Sequence, residues 1–462
     1  MNTRFDAVVI GGGPGGYVCA ERLAKYGLST ALVENRQLGG TCLNRGCIPT
    51  KVLLHAAETV EQAKKAAAFG ISFENIRLDR ACLLERKNEV TSSLRGGIAQ
   101  LMKTAGVTVF EGTGFVPRPS TVIVTGPDGS VTELEAGDIV AAVGSVPTTL
   151  PIPGGGLPGV VTSDEILDEL PDIKNLVIIG GGVIGVELAS YYLAAGARVT
   201  ILEGMQRLLP TMEKELGQNL SMIMKRAGAE IVTGAAVESI TSENGTLTAH
   251  YSVKGKPGEA AGDTVLVAVG RRSLAPAVFA AELQVELDRG RAMVDGRMRS
   301  SVPHIYVIGD AAAGGAQLAH LASAQGLAAA AAIAGRTFDT RLDLVPGCVY
   351  TSPEIASVGL TESEARERGI AVLTAKYPMS ANGKSRLTMQ ERGFIKLVCD
   401  DSGVLVGAQL MCVRATDMIG ELALAIARGL DVSAVSSLIR PHPTFEEGIG
   451  DAAALLAAKH EK

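Results

Sequence analysis

No stretch of this sequence reaches the roughly 18 consecutive apolar residues of a membrane-crossing helix. The Ala-rich run Ala328–Ala332 is too short and reads as a buried helix. Residues Met1 to Asp6 lead directly into a short apolar strand. The longer apolar region and small-residue cleavage site of a signal peptide are lacking. A cytoplasmic protein that does not bind membranes is expected. The chain also lacks a basic excess: its formal net charge is -6. Nucleic acid is therefore not an expected partner, and a mildly acidic surface speaks only for solubility.

Cysteine is sparse and dispersed. The seven cysteines are an odd set spread along a long chain, which excludes an extracellular disulfide framework. Cys19, Cys82, Cys348, Cys399 and Cys412 stand singly in apolar surroundings and are expected to be small core residues. Only Cys42 and Cys47 are close together. No second Cys/His pair accompanies them, which argues against zinc and leaves no expected metal.

What is present points to an α/β protein. At 462 residues the chain is long enough for about three domains. Its 47% hydrophobic and 20% charged content suit a globular fold. The 55 glycines suggest many tight turns and close helix–strand contacts.

An internal repeat carries more information. Val8-Val9-Ile10-Gly11-Gly12-Gly13-Pro14-Gly15-Gly16 returns as Val177-Ile178-Ile179-Gly180-Gly181-Gly182-Val183-Ile184-Gly185. The same offset carries Gly27 onto Gly196 and Glu34 onto Glu203. Each copy reads strand, glycine loop, helix, second strand, acidic residue. Gly11 and Gly180 permit the tight turn. Gly13 and Gly182 let backbone approach a pyrophosphate, and Gly16 and Gly185 let helix and strand pack closely. The helix N-terminus faces the phosphates, and the carboxylate receives ribose hydroxyls. Two dinucleotide sites are expected. Glu203 would repel a 2′-phosphate, which favours NAD over NADP at the second. Arg207, four residues on, is the one feature favouring NADP.

Residues Ala81 to Lys103 have a helical pattern, and Val107 to Val143 read as short strands with turns. Pro147 to Pro158 resembles a linker. The domain after it runs to about residue 272, ending on the strand Val265–Val269 and Gly270. Ile305–Ile308 reads as a buried strand running into Gly309-Asp310, a carboxylate well placed for a sugar-like hydroxyl. Beyond Pro346, strands at Gly393–Val398 and Val404–Met411 precede a helix near Asp417–Arg428, forming an α+β unit.

Cys42 and Cys47 lie in Gly39-Gly40-Thr41-Cys42-Leu43-Asn44-Arg45-Gly46-Cys47-Ile48-Pro49-Thr50-Lys51. This segment starts five residues after Glu34, so both cysteines must lie near the first dinucleotide. Their four-residue gap at a helix start can bring the sulfurs within bonding distance. A helix N-terminus lowers a thiolate's pKa, as thiol–disulfide exchange needs. Two unrelated core cysteines are the alternative. Near the C-terminus, His442 stands between Pro441 and Pro443, and Glu447 follows where it could orient the imidazole.

These motifs resemble the class I pyridine nucleotide–disulfide oxidoreductases over nearly the whole chain, most closely the dihydrolipoamide dehydrogenases. The resemblance implies a fold of two Rossmann-like domains, one for FAD and one for NAD, plus a C-terminal α+β dimerisation domain. The expected boundaries are 1–148 for FAD, 149–272 for NAD, 273–345 for the return to the FAD domain and 346–462 for dimerisation. It implies that Cys42 meets the substrate and that Cys47 lies against the flavin in a Cys42–Cys47 disulfide. Lys51 would sit beside the flavin and pair with Glu187. Asp310 would hold the ribitol, and the backbone at Ala319-His320 would approach the flavin ring. Gly114 and Gly144 would also line FAD, and Val237 and Gly270, with Glu187, would line NAD. His442 would be the base, oriented by Glu447 and acting on the other subunit's disulfide, so a homodimer is implied. The implied activity is oxidation of protein-bound dihydrolipoamide through the disulfide and FAD to reduce NAD. Its partner would be a lipoylated carrier or acyltransferase of a 2-oxoacid dehydrogenase or glycine cleavage complex.

Three departures stand out: Arg440 replaces a common first histidine, Thr50 replaces Ser, and Ser273-Leu274 replace Pro-Asn. Arg440 is expected to bear on how the chain meets its substrate or partner. Glutathione reductase shares the framework but uses NADPH, and Glu203 and the Cys42–Pro49 motif lean against it. A mercuric reductase would need a C-terminal cysteine pair, which Ala453–Lys462 does not contain. A purely structural subunit would not need Cys42, Cys47 and His442.

Overall fold

In the computed structural model of the chain, which describes residues 3–461, the repeated segment folds the same way twice. Strand Arg4–Ile10, helix Pro14–Lys25 and strand Thr30–Glu34 form the first copy. Asn175–Ile179, Val183–Ala194 and Arg198–Glu203 form the second. The strands pair in parallel, Val8 with Ala31 and Val177 with Thr200. Ala7–Ile10 and Leu176–Ile179 are apolar at every position and buried throughout. Parallel strands covered by helices on both faces require such unbroken apolar runs.

The likeness extends to the whole of each sheet. The first has Thr108–Glu111, Thr30–Glu34, Arg4–Ile10, Val131–Ala141 and Ile305–Val307 in spatial order, all parallel. The second has Glu230–Thr233, Arg198–Glu203, Asn175–Ile179, Thr264–Val267 and Val160–Val161, again all parallel. In each, an antiparallel three-stranded unit precedes or includes the fourth strand. It is Thr113–Arg118, Thr121–Thr125 and Val131–Ala141 in the first. In the second it is Ala235–Glu243, Thr246–Val253 and Lys256–Gly262.

The Pro147–Pro158 crossing is one half of a double connection. Ser145–Pro147 pairs antiparallel with Arg271–Ser273, so the chain leaves and returns side by side. A backbone bond from Thr148 N to Gly270 O, 3.0 Å, extends this ribbon. The Cys47–Lys65 helix buries Leu53, Leu54 and Ala57 in the same core as Ile178, Val186 and Leu188 of the second unit. Full burial of a leucine such as Leu53 is worth about 1.5–3 kcal/mol, so the thiol helix is fixed against the second nucleotide unit.

The C-terminal unit is an antiparallel sheet. Its order is Gly347–Val349, Glu354–Gly359, Leu405–Cys412, Phe394–Asp400, Val372–Pro378. Helices Ala415–Ala427 and Glu447–His460 pack against it. Phe394 to Cys399 are all buried, because both faces are covered. Ile395 and Leu397 join the core of the C-terminal helices, while Phe394 joins that of the second unit. Lys396, on this buried strand, is paired with Glu213 at 3.3 Å and Glu362 at 3.1 Å.

The expectation for the single cysteines holds for Cys19, Cys399 and Cys412, which are buried, holds in part for Cys348, which packs against the C-terminal core, and fails for Cys82. Cys82 is exposed, and Cys348 is half-buried on the central cleft. Cys82 lies in the first turn of helix Arg80–Ala105, whose buried residues include Leu83, Lys87, Thr91 and Ile98. One residue before Leu83 is about 100° around the helix, off that stripe. Among the described residues no helix is long and apolar enough to cross a membrane.

Candidate active site

Both glycine loops and the thiol pair open into one cleft of about 1760 Å³. The glycines fall into crowded and open positions. A Cβ on Gly11 (φ +104) would lie 2.3 Å from Ala142 O, and one on Gly180 (φ +111) would lie 2.4 Å from Ala268 O. A Cβ on Gly16 would sit 1.8 Å from Gly11 O and one on Gly185 2.0 Å from Gly180 O, so these two are packing positions. By contrast Gly182 has nothing within 4 Å, and Gly13 has only Gly40 Cα at 3.9 Å. That open space over the backbone is what a pyrophosphate needs.

The Glu34 and Glu203 carboxylates are held in place by backbone. Glu34 Oε2 accepts from Gly12 N at 2.7 Å, and its Oε1 accepts from Arg36 N at 2.7 Å and Gln37 N at 3.1 Å. Glu203 repeats this with Gly181 N at 2.5 Å and Met205 N at 2.6 Å. Arg207 turns away: its guanidinium donates to Pro210 O at 2.8 Å and Met212 O at 3.1 Å. These carbonyls hold the cation that would otherwise have favoured NADP.

Asp310 lines the cleft beside Gly144, Gly114 and Ala319, and Val237 and Gly270 line its other part. Asp310 also belongs to a network that the sequence did not reveal. Ser145 Oγ donates to Asp310 Oδ2 at 2.5 Å and accepts from Arg271 Nε at 2.8 Å. Arg271 also donates to Ser145 O at 2.9 Å, and Gln325 Oε1 accepts from Gly309 N at 2.7 Å. The open backbone over Gly13 and Gly182, with a fixed carboxylate beside each, fits the pyrophosphate and ribose of a dinucleotide at both sites.

The thiols stand where two helices meet. Cys42 sits inside its own short helix, Gly40–Arg45, and Cys47 opens the next, Cys47–Lys65. The expected gap at one helix start is thus a junction at Gly46. A Cβ on Gly46 would lie 3.0 Å from Thr41 O, so glycine lets the helices close up. Both thiols are free and hydrogen-bonded to each other. The bond from Cys42 holds the Cys47 thiol below its ordinary value, and the Lys51 ammonium helps against burial. The same bond pushes Cys42 up, together with burial.

Lys51 Nζ is 2.8 Å from Glu187 Oε2 and 4.3 Å from the Tyr350 ring centre. Tyr350 N donates to Glu187 Oε1 at 2.9 Å. One buried carboxylate thereby joins the thiol helix, the second glycine-loop helix and the C-terminal unit. Tyr350, and Cys348 nearby, carry no local motif that marks them. Burial, with Glu354 close by, pushes the Cys348 thiol up to about 11.

His442 and Glu447 are brought together, but they do not line the thiol cleft of their own chain. His442 Nδ1 is 2.8 Å from Glu447 Oε1, and Thr444 N donates to Glu447 Oε2 at 2.8 Å. The Thr444 N–H and then His442 hold the Glu447 carboxyl below the ordinary range. The His442 ring is 77% exposed in the single chain.

Residues 5–326 match the family model described as pyridine nucleotide-disulphide oxidoreductase, and residues 345–453 match that family's dimerisation domain. The chain belongs to the pyridine nucleotide-disulphide oxidoreductase family. Over 458 residues it is 39% identical to the dihydrolipoyl dehydrogenase of Chlorobaculum tepidum, covering 98% of this chain and 97% of that one. It is 37% identical over 468 residues to the dihydrolipoyl dehydrogenase of Bacillus subtilis, covering 98% of each. The solved structure of the Cu(II) complex of the HOCl-induced flavoprotein disulfide reductase RclA from Escherichia coli superposes with a TM-score of 0.87 at 29% identity, over 99% of this chain and all of that one. LpdA from Mycobacterium tuberculosis gives a TM-score of 0.90 at 24% identity over 98% and 99% of the chains, a likeness of fold. As a pyridine nucleotide-disulphide oxidoreductase this chain is an enzyme whose cofactors are FAD and NAD.

Proposed function

We propose that this oxidoreductase is a dihydrolipoyl dehydrogenase: it oxidises protein-bound dihydrolipoamide through Cys42 and Cys47 and passes the electrons to NAD. The observation that carries this reading is the unequal thiol pair on the wall of a cleft shared by two dinucleotide cradles. The dihydrolipoyl dehydrogenases among its relatives, similar over nearly their whole length, support the substrate. The working unit is a homodimer, in keeping with the dimerisation domain. The partner is the lipoylated protein of a 2-oxoacid dehydrogenase or glycine cleavage complex, and the compartment is the cytoplasm.

Before turnover Cys42 and Cys47 are joined as a disulfide. Glu447 holds Nδ1–H of His442, which leaves Nε2 as the base. His442 takes a proton from one thiol of dihydrolipoamide, and the resulting thiolate attacks Cys42 Sγ. The Cys42–Cys47 bond breaks and Cys47 leaves as a thiolate beside the Lys51 ammonium, whose charge favours the ionised form. The second substrate thiol then closes the lipoyl disulfide and releases Cys42, which takes up the proton. The Lys51 ammonium, fixed by Glu187, steadies the negative charge on Cys47. The chemistry that bound FAD and NAD supply is the onward transfer of the electron pair from that thiolate.

Two assays separate this reading from the glutathione alternative: dihydrolipoamide with NAD, and oxidised glutathione with NADPH. Turnover in the first is expected. Turnover only in the second would overturn the assignment.

A further inference from the structure

Arg440 occupies the position where the resemblance leads one to expect a histidine, two residues before His442. Its side chain is 5% exposed, so it is not a surface group available to a partner protein. The guanidinium forms an ion pair with Glu421 on helix Ala415–Ala427. Its Nη1 donates to Val435 O at 3.1 Å and Leu438 O at 3.4 Å. It also lies against the third element of the unit, where a Cβ on Gly450 would be 2.8 Å from Nη1. Gly450 is on helix Glu447–His460, one turn beyond the Glu447 that holds His442. Arg440 and Gly450 are thus matched: the long side chain fills the space that the glycine leaves.

The loop bearing His442 is therefore held on both sides. Downstream, Glu447 takes Thr444 N, and Asn382 Nδ2 donates to Thr444 O at 3.0 Å. Upstream, the exposed Leu438 and Ile439 offer no comparable anchor, and Arg440 is the one buried group between residue 436 and the histidine. A buried arginine with a carboxylate and two carbonyl partners is costly to displace. That rigidity matters where a base must stand within hydrogen-bond reach of a thiol.

We propose that Arg440 is a positioning residue, whose guanidinium, paired with Glu421 and seated against Gly450, sets where the His442 ring stands. The proposal rests on the reading of His442 as the base. Its test uses the full-length, FAD-loaded enzyme with Arg440→Met, Arg440→Lys, Glu421→Gln and Gly450→Ala, and with His442→Gln as reference. Two rates are compared. One is NAD reduction by dihydrolipoamide, which needs His442. The other is NADH oxidation by ferricyanide, which draws electrons from the flavin without the thiol step.

Arg440→Met and Gly450→Ala are expected to lower kcat for dihydrolipoamide by roughly ten-fold. They should also shift the acid limb of its pH profile and leave the ferricyanide rate unchanged. Arg440→Lys should recover part of the loss. Unchanged kcat and pH profile, with His442→Gln impaired, would overturn the proposal. So would an equal fall in both rates, since that marks a purely structural role. If Arg440→Met does not fold, Glu421→Gln and Gly450→Ala decide by the same two rates. Wild-type turnover by His442→Gln would instead refute the reading of the base, a distinct result.

Discussion

Cys42 and Cys47 are five positions apart, yet they differ in charge because they differ in surroundings. Cys42 keeps its proton and donates it, while Cys47 receives that bond and the field of Lys51. In the reduced enzyme Cys47 should therefore stay ionised below the ordinary thiol value of about 8.5. Removing a group that lowers a pKa raises it, so Cys42→Ala and Lys51→Met should each move Cys47 ionisation to higher pH. Following the ultraviolet absorbance of the thiolate against pH checks this, and an unmoved midpoint in both variants would count against the electrostatic account. Glu203 allows a second residue-scale test. Its carboxylate is buried and fixed by two backbone N–H groups at the end of its strand. Glu203→Ala should lower kcat/KM for NAD by about ten-fold, close to the ~1.5 kcal/mol of one charged hydrogen bond. Its preference for NAD over NADP should narrow, as steady-state kinetics with both nucleotides would show.

At the scale of elements, the two strand–glycine–helix units separate crowded glycine positions from open ones. Gly185→Ala would drive a Cβ to 2.0 Å from Gly180 O, whereas Gly182→Ala meets nothing within 4 Å. Gly185→Ala should lower the melting temperature, and Gly182→Ala should leave it unchanged but raise the KM for NAD. Thermal melts and NAD kinetics on the pair test this, and equal melting losses would refute the division. These units were legible in the sequence because everything that defines them lies within about thirty residues: strand, turn, helix and carboxylate. The thiol segment and the His442–Glu447 pair were legible for the same reason. The Ser145–Asp310–Arg271 network was not, since its members are 126 and 165 positions apart and meet only when the sheet return is made. Tyr350 against Lys51 and Cys348 on the cleft come from the C-terminal sheet, and no local pattern announces them. Cys82 departs from the expected core position because an apolar neighbourhood in sequence does not say which face of a helix a residue occupies.

For the whole molecule, the geometry separates the thiol pair from the His442–Glu447 pair. The thiols line the cleft, and His442 lies outside it on an exposed loop of the C-terminal unit. In the same unit, Leu424, Leu438 and Ile439 are 60%, 54% and 96% exposed in the single chain, within the matched dimerisation domain. Such exposure of large apolar side chains suits a subunit interface. In a homodimer, the base of one chain would serve the disulfide of its partner. The central claim is that dihydrolipoamide is oxidised between Cys42 of one chain and His442 of the other. The measurement that tests it most directly mixes Cys42→Ser and His442→Gln subunits by unfolding and refolding them together with FAD, then follows NAD reduction by dihydrolipoamide. Each variant alone should be inactive or slowed by roughly 100-fold, while the hybrid dimers regain turnover because one site in each holds both intact groups. Hybrid dimers no more active than their parents would contradict it.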